Sequence, residues 1–566
     1  MQSAVPPAHQ PRALIWIEGS QAECQQAALR LLDQIPDEEI AWIGRLDTQP
    51  TIKKHLPGRA RALLGQTLQA GVLDAHDGLD PDDLGALTGT IRGGGYCLLL
   101  SPEADDWMRR PDPAMAPLLS HGIELSDCHC HFTRRLAGIL RDSSIVRHLN
   151  AREILAGSGP LAPAAPAKPL QAIHPTADQA RVIEAIRTQA CHNKRLRLLI
   201  TADRGRGKSA ALGMAIRALS GYPLRLTARS RAAATSVFQH AAPETPTFLA
   251  PERLSADESL LMIDEAAALP LGQLEAIIAE NPRCILTSTV HGYEGSGQGL
   301  ILRLARRLAT QVDSFHHLSL EEPVRWGPND PLEALVNDLL LLAVEPAALA
   351  ADNSPGAFEI EPLSAASLAE NEPMLRDVFA LLITGHYRTR PRDLRQLLDD
   401  PQMQCWRSID PGGASSGILA ARPEGGVDAE LTRAIHAGQR RPPGHLIAQS
   451  LTFHAGIPDA ACLRGLRIQR LAVHPQRRRQ GQGRGLVTAA IASAQTQGLD
   501  WIGTSFGFTP ELLEFWSACG FSPVRYGHRR DPRSGAQAVI MLKPLSAAGE
   551  SLLTTAQAKL TEQAIQ

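Results

Sequence analysis

A chain of 566 residues, 44% apolar and 20% charged, has the composition of an ordinary globular protein, with room for about three or four domains. Its formal net charge of −2 excludes a polycation, so any nucleic-acid contact must come from local basic patches. The 9 cysteines, an odd number scattered along the chain, fit reduced thiols rather than a disulfide framework. No apolar run approaches the ~18–20 residues of a membrane span, and the stretch Met1–Arg12 is polar and Pro-rich, so a cytoplasmic location is expected.

In chain order, Ala13–Ile17 and Tyr96–Leu100 are short apolar runs that predict buried parallel strands, and Ala22–Ile35 predicts a helix. Gly93-Gly-Gly95, with no Lys and no helix start after it, predicts a tight turn at an α/β edge. Cys128-His-Cys-His131 lacks the Cys-x-x-Cys spacing of zinc knuckles and has no second pair nearby, so a strand is expected there rather than a metal site. Gly157–Pro169 is too rich in Pro, Ala and Gly to bury a core and predicts a linker. Pro331–Ala351 is a long helical pattern, and 352–356 marks a second boundary. Beyond it come helices, then strands, with turns at Pro411–Gly413 and Arg422–Gly426 and an amphipathic C-terminal helix. The expected domains are therefore 1–165 (α/β domain and linker), 166–351, 352–545, and a C-terminal helix or tail over 546–566.

Between the linker and the second boundary lies a nucleotide loop. The run Ala202-Asp203-Arg204-Gly205-Arg206-Gly207-Lys208-Ser209 directly follows the apolar Leu196–Thr201 and precedes a helix that starts through Ala210 and Ala211. Glycines let backbone N–H groups face phosphate oxygens; Lys208 can reach the β- and γ-phosphates, and Ser209 can ligate Mg²⁺. Ala202 stands where the usual pattern has its first Gly. The run Ser259-Leu-Leu-Met-Ile-Asp264-Glu265 predicts an apolar strand ending in Asp-Glu, with Asp264 expected to hold Mg²⁺ through water and Glu265 to polarise the attacking water. Cys284–Thr289 is a third strand ending in hydroxyls, where a γ-phosphate sensor belongs. Thr176-Ala-Asp-Gln179 resembles the adenine-reading Gln motif of RecD-type helicases, and Arg325 is the candidate γ-phosphate-sensing arginine. These readings assign ATP and Mg²⁺, with Lys208, Asp264 and Glu265 as the catalytic set.

A second loop of different chemistry follows the run Ile468–Val473. Arg478-Arg479-Gln480-Gly481-Gln482-Gly483-Arg484 leads into a helix from Leu486, and matches the acyl-CoA loop of GNAT-superfamily acetyltransferases. Its backbone N–H groups and helix N-terminus can bind a pyrophosphate, while exposed backbone at Leu471, Ala472 and Val473 can pair with pantetheine amides as an added strand would. The fold class expected is multidomain α/β: a RecA/P-loop-type parallel-sheet ATPase plus a GNAT-type mixed sheet, preceded by an α/β domain.

This order of domains resembles the bacterial tRNA(Met) cytidine acetyltransferases over nearly the whole chain. The resemblance rests on Arg204–Ser209, Ser288-Thr-Val-His-Gly-Tyr-Glu-Gly295, Pro323–Trp326, His386-Tyr-Arg-Thr389, Leu471–Pro475 and Ser505–Phe508. It implies ATP- or GTP-dependent formation of N4-acetylcytidine at the wobble position of elongator tRNA(Met) from acetyl-CoA. It places Gln179, residues 202–211 and Arg325 on ATP, and Leu471–Val473, Arg478–Arg484 and Glu511 on acetyl-CoA. The chain departs at Ala518 from a family example that carries an Arg there, so that contact is expected to be lost or supplied elsewhere. Longer members also continue into an RNA-binding tail, so a weaker or differently built tRNA grip is expected here. Basic clusters at Arg388, Arg390, Arg392 and Arg395, at Arg440 and Arg441, and at Arg529, Arg530 and Arg533 offer phosphate contacts. His474 and Glu511 lie within sequence reach of the acyl site, with His474 alternatively capping the turn before Pro475. The competing readings are a protein N-acetyltransferase regulated by its attached ATPase and a helicase carrying a degenerate acetyltransferase; an intact acyl-CoA loop argues against the second.

Overall fold

The computed structural model describes residues 10–63, 65–157, 175–192, 195–290, 315–349, 358–385, 389–530 and 536–565. Residues 158–169 of the expected linker, the boundary at 352–356, His291–Gly295, His386–Arg388 and Arg533 lie outside them. The chain packs into two compact units: Met1–Ala114, Phe132–Ala343 and Tyr387–Leu394 form one, and Met115–His131, Val344–His386 and Arg395–Gln566 form the other.

The first unit holds two parallel sheets. Strands β1 (Ala13–Glu18), β2 (Ile40–Ile43), β3 (Lys53–His55), β4 (Leu68–Asp74), β5 (Ile91–Ser101) and β6 (Val146–Asn150) run in the order β3-β2-β4-β5-β1-β6. The apolar runs expected as strands are β1 and part of β5, and the expected helix spans Gln21–Leu32, started by a Ser20–Glu23 capping box. Its Cys24, Ala27, Ala28, Leu31 and Leu32 pack on the sheet. The Gly93–Gly95 turn is corrected: all three glycines lie inside β5. A Cβ on Gly95 would sit 2.3 Å from the Gln69 carbonyl, and the β4–β5 register shifts beside it; glycine here admits a close strand approach at a bulge.

The second sheet contains β7 (Leu196–Ala202), β8 (Leu224–Thr227), β9 (Thr247–Phe248), β10 (Leu260–Ile263), β11 (Arg283–Thr289) and β12 (Phe315–Leu320), in the order β12-β7-β11-β10-β8-β9. The strand bearing the P-loop thus lies inside the sheet between β12 and the sensor strand β11, with the acidic strand β10 next. Helices Ala177–His192, Lys208–Ala218 and Thr235–Ala241 cover one face and Leu271–Glu280 the other. The expected long helix from Pro331 stops at Leu340, where Leu341 adopts a left-handed conformation.

The second unit carries a mixed sheet of β13 (Glu359–Leu363), β14 (Gln404–Ile409), β15 (Ser415–Glu424), β16 (Gly465–Val473), β17 (Trp501–Gly507), β18 (Ser522–Arg530) and β19 (Gln537–Pro544), in the order β13-β14-β15-β16-β17-β19-β18. All neighbours are antiparallel except β16 and β17. Helices Gln482–Thr496 and Pro510–Ala518 pack on one face. The other face is covered by a helical insertion between β15 and β16, together with helix Ala547–Ile565. The Cys128–His131 strand is corrected as well: Cys128 follows a short 3-10 turn and His131 opens helix His131–Asp142. Among the described residues no group of three or more His, Cys, Asp and Glu side chains converges in the manner of a metal cluster. No helix among them is long and apolar enough to cross a membrane.

Candidate functional site

β7 delivers the P-loop. Gly205 and Gly207 take positive φ values of 82° and 70°, and helix Lys208–Ala218 starts directly after Gly207. Glycine is required at both for steric reasons too. A Cβ on Gly205 would lie 2.6 Å from the Trp326 ring, and one on Gly207 would lie 2.3 Å from the Gln179 amide nitrogen. Gln179 is buried; its Nε2 donates to the Gly207 carbonyl (3.0 Å) and its Oε1 accepts from the Thr176 N–H (3.0 Å). The Gln motif is thereby fastened to the loop.

The charged side chains converge as the three strands predict. Lys208 Nζ donates to Thr289 Oγ1 at 2.8 Å and lies 3.2 Å from Glu265. Ser209 Oγ donates to the Asp264 carboxylate at 3.0 Å, and Thr287 Oγ1 donates to the same group at 2.7 Å. Asp264 is fully buried; burial, then the neighbouring Glu265 charge, push it up to about 6. Burial also acts to raise Glu265, but Lys208 and the Thr289 hydroxyl outweigh it and hold that carboxylate below its usual value. Thr287 was legible only as part of a strand ending in hydroxyls; its role as a fixed donor to Asp264 comes from the register of β10 and β11.

Other predicted residues are placed differently. Ala202 ends β7, pairing with Thr289 on one side and Leu320 on the other. Asp203 and Arg204 line a small cavity of about 60 Å³ with Arg12 and Trp326. Arg206 is turned onto Glu333 (2.8 Å), at a larger acidic cleft of about 490 Å³ bounded by Asp178, Glu321 and Glu322. Ala210 and Ala211 continue the helix, Ala211 buried beneath it. Arg325, expected on the γ-phosphate, donates through one terminal nitrogen to the Gly89 carbonyl at 3.0 Å.

The segment around Arg325 is a strap across the loop. Val324 N–H donates to the Gly205 carbonyl at 2.9 Å, and the Arg325 carbonyl accepts from Gly93 at 2.7 Å. Trp326 lies between Gly205 and the Arg12 guanidinium, which sits 3.6 Å from its ring centre. Arg12 in turn makes a buried ion pair with Asp330 (2.8 Å) and donates to the Thr88 and Ile91 carbonyls. Nothing in the sequence marks Arg12: it is a lone arginine after a Pro-rich stretch.

In the second unit, β16 and β17 pair only from Gly465–Ile468 to Trp501–Thr504, although the strands continue to Val473 and Gly507. The β15–β16 register skips Gln469, a bulge that bends β16 away from its parallel neighbour. Leu471, Ala472 and Val473 therefore keep β15 on one edge and have no β17 partner on the other. The loop beyond them has positive φ at Arg479 (62°) and Gly481 (88°), and helix Gln482–Thr496 begins at Gly481. Arg478, Arg479 and Arg484 are exposed around that helix start, a concentrated positive field beside free backbone N–H groups.

Gln480 folds back onto the Gln476 carbonyl. Gln482 is buried, accepting from Ser408, and Gly483 packs near Phe515 and Val473. Glu511 is exposed in the first turn of its helix, held below its usual value by its own backbone N–H and by Thr509. His474 accepts from the Gln476 N–H at 3.3 Å, which is the capping role; burial and then Arg477 and Arg478 lower its pKa. Next to Ala518, burial raises the Cys519 thiol, and the charges of Arg484 and Lys543 act against that rise.

The basic clusters separate into two kinds. Arg392 pairs with Asp82 (3.2 Å) and Asp80 (3.4 Å), Arg390 lies 4.0 Å from Asp82, and Arg395 is buried 3.8 Å from Asp399. These arginines hold the fold together rather than offering free phosphate contacts, a correction to the sequence reading. Arg440 and Arg441 are exposed. Arg529 and Arg530 end β18.

Comparison with known proteins follows the same division. The N-terminal profile of tRNA(Met) cytidine acetyltransferase TmcA matches residues 6–148. That of the RNA cytidine acetyltransferase NAT10/TcmA helicase domain matches 199–343, and that of GNAT acetyltransferase 2 matches 377–492 and 485–546. The chain is 37% identical to the tRNA(Met) cytidine acetyltransferase TmcA of Nitrosococcus halophilus over 96% of its own length and 77% of that protein's. It is 36% identical to the protein of the same name from Pectobacterium atrosepticum, with the same two coverages. The Yersinia pestis protein is 35% identical over 97% of this chain and 78% of its own. With each profile falling on its own sheet and nearly the whole length aligned to such relatives, the chain belongs to the tRNA(Met) cytidine acetyltransferase family.

Proposed function

We propose that this protein acetylates N4 of the wobble cytidine of elongator tRNA(Met), taking the acetyl group from acetyl-CoA and using ATP or GTP. The observation that carries the reading is the presence, in one chain aligned to these relatives over 96% of its length, of a complete P-loop and a splayed acyl-CoA strand pair. The region 166–351 is read as the ATPase and 352–545 as the acetyltransferase.

In the acetyl transfer, the N4 amine attacks the thioester carbonyl. The N–C bond forms, the C–S bond breaks, CoA leaves as the thiolate, and the amine proton passes to solvent. The amine lone pair is delocalised into the ring, so rate comes from positioning and from stabilising the oxyanion. The unpaired edge of β16 from Leu471 to Val473 provides backbone N–H groups for both tasks. His474, engaged as a cap and lowered in pKa, is a positioning residue of the turn rather than the base.

In the first unit, the hard oxygens of Ser209 and Asp264 suit Mg²⁺, and burial with the Glu265 charge raises the Asp264 carboxylate more than Thr287, Ser209 and Lys208 lower it, so a further cation would be favoured there. When bound, Mg²⁺ neutralises phosphate charge. Lys208 stands at the β- and γ-phosphate position, and Glu265 orients water once Lys208 turns to the phosphate. We assign the nucleotide base to the cleft beside Glu321 and Asp178, the latter next in sequence to Gln179. We read the ATPase as remodelling the anticodon loop, because the cytosine must be splayed out to reach the thioester.

The test is transfer of radiolabelled acetyl from acetyl-CoA to unmodified elongator tRNA(Met), with and without ATP. Label in RNA only with ATP supports both reaction and coupling. Label without ATP keeps the transferase and reduces the ATPase to regulation. No label in either condition rejects the reading in favour of a protein substrate.

A further inference from the structure

The insertion between β15 and β16 carries a surface that the acyl-CoA site does not use. Gly426 leaves the hairpin and the chain returns at Gly465; helices Ala429–His436 and Leu446–Gln449 bury Ile435, Ile447, Ala448 and Leu451 against the sheet. The last helix then widens into a π-helical turn, Ser450–His454, a rare conformation that often marks functional sites. That turn projects Phe453 outward, 37% exposed, with Leu446 43% exposed nearby in sequence. The ring rests on Gly438, where a Cβ would come within 2.8 Å of it. The Arg441 guanidinium lies 5.2 Å from the ring centre, and the His454 ring meets its edge at 4.8 Å. Arg440 and Arg441 are exposed, and among the described residues neither is held in an ion pair, unlike Arg390, Arg392, Arg395, Arg422 and Arg477.

An exposed aromatic ring flanked by unneutralised guanidinium groups matches the chemistry of an unpaired nucleic-acid strand: a base stacks on the ring while the arginines meet the phosphates. We propose that Phe453, Arg440 and Arg441 form a stacking platform for an unpaired stretch of the RNA substrate, outside the acetyl-CoA site. This rests on the reading of the chain as an RNA acetyltransferase.

The test is fluorescence anisotropy of the full-length protein with a labelled RNA stem-loop and with its fully paired duplex, alongside acetyl-CoA binding by calorimetry. Phe453→Ala is expected to weaken stem-loop binding about tenfold, the range of one stacked base. Phe453→Leu, which keeps apolar packing on Gly438, is expected to do the same, and Phe453→Trp to retain affinity. Arg440→Ala with Arg441→Ala is expected to lower the slope of log affinity against log salt by about 1.4, as for two single-strand phosphate contacts. Acetyl-CoA affinity is expected to stay unchanged in all of them. Stem-loop affinity unchanged in Phe453→Leu, or duplex bound as well as the loop, would overturn the platform; so would unchanged RNA affinity with loss of self-association in sedimentation, which assigns the patch to a protein contact. Binding of RNA by wild type without its acetylation rejects the proposed reaction and leaves the platform to be judged on affinity alone.

Discussion

Lys208 is held at 2.8 Å by Thr289 and at 3.2 Å by Glu265, so its charge is aimed at the mouth of the P-loop. Lys208→Ala is expected to lower ATP-dependent RNA acetylation by about 10²-fold or more, the scale of losing one preorganised electrostatic contact; acetyl-CoA binding by calorimetry is expected to remain intact. Two glycines give a sharper contrast. Gly205→Ala and Gly481→Ala both place a side chain at positive φ, at about 1–2 kcal/mol of backbone strain. At Gly205 the new Cβ also meets Trp326 at 2.6 Å, while at Gly481 nothing lies within 4 Å. Nucleotide binding is therefore expected to be lost in Gly205→Ala, and acetyl-CoA binding merely weakened in Gly481→Ala.

His76 sets a pH dependence. Its ring nitrogens lie 2.7 Å from Asp74 and 3.0 Å from the Gly19 carbonyl. Burial alone would lower its pKa, but these two partners raise it. The stability this contributes is full below about 6.5, the unfolded value, and is lost as pH rises through the higher folded value. Asp82 and Asp83, pushed up to about 6 and about 7 chiefly by burial, act in the same direction between about pH 4 and 7, because the folded state binds more protons. Thermal unfolding is expected at lower temperature at pH 8 than at pH 6.5. His76→Gln should flatten that slope; an unchanged slope in circular dichroism melts would rule His76 out as its source.

At the scale of elements, the acyl-CoA site depends on one helix end as much as on its own loop. Gly385 closes helix Glu372–Gly385, and a Cβ there would come within 2.4 Å of the Ala472 methyl on β16. Gly385→Ala is expected to push β16 at the residues proposed to present their edge to acyl-CoA. Acetyl-CoA affinity is expected to fall about tenfold, a shift of roughly 1.4 kcal/mol, with nucleotide affinity unchanged; equal acetyl-CoA affinities in the two proteins would show that the helix end yields instead. The two loops and their strands were legible from sequence because each joins an apolar run to glycines and a helix start. The elements that were misread lacked such local signals. Gly93–Gly95 forms a strand because a neighbouring strand approaches closely, and the helix from Pro331 ends at Leu341 with no glycine or proline to announce it. Arginines offered as RNA contacts proved to be paired with Asp80, Asp82 and Asp399, carboxylates that the sequence gives no means of matching to them.

At the scale of the molecule, the three-sheet plan was legible from the spacing of the motifs, whereas the interleaving was not. Met115–His131 packs with the acetyltransferase sheet's unit, and Tyr387–Leu394 returns to the unit of the two parallel sheets. Short excursions of this kind carry little periodicity and are fixed by tertiary pairs such as Arg392–Asp82 at 3.2 Å. Equally unannounced is the tie between the first two sheets, where Arg12, Trp326 and Asp330 form one buried cluster against the P-loop.

That cluster makes the nucleotide loop visible to light. Trp326 places an indole against Gly205, under a guanidinium 3.6 Å from the ring centre. Filling the loop with phosphates alters the charge and packing next to the chromophore, so its ultraviolet emission reports occupancy without any added label. The chain has 7 tryptophans, and subtracting the spectrum of Trp326→Phe isolates this one. Its signal can then be followed in a stopped-flow instrument, which gives the rate of nucleotide arrival with and without acetyl-CoA and RNA present.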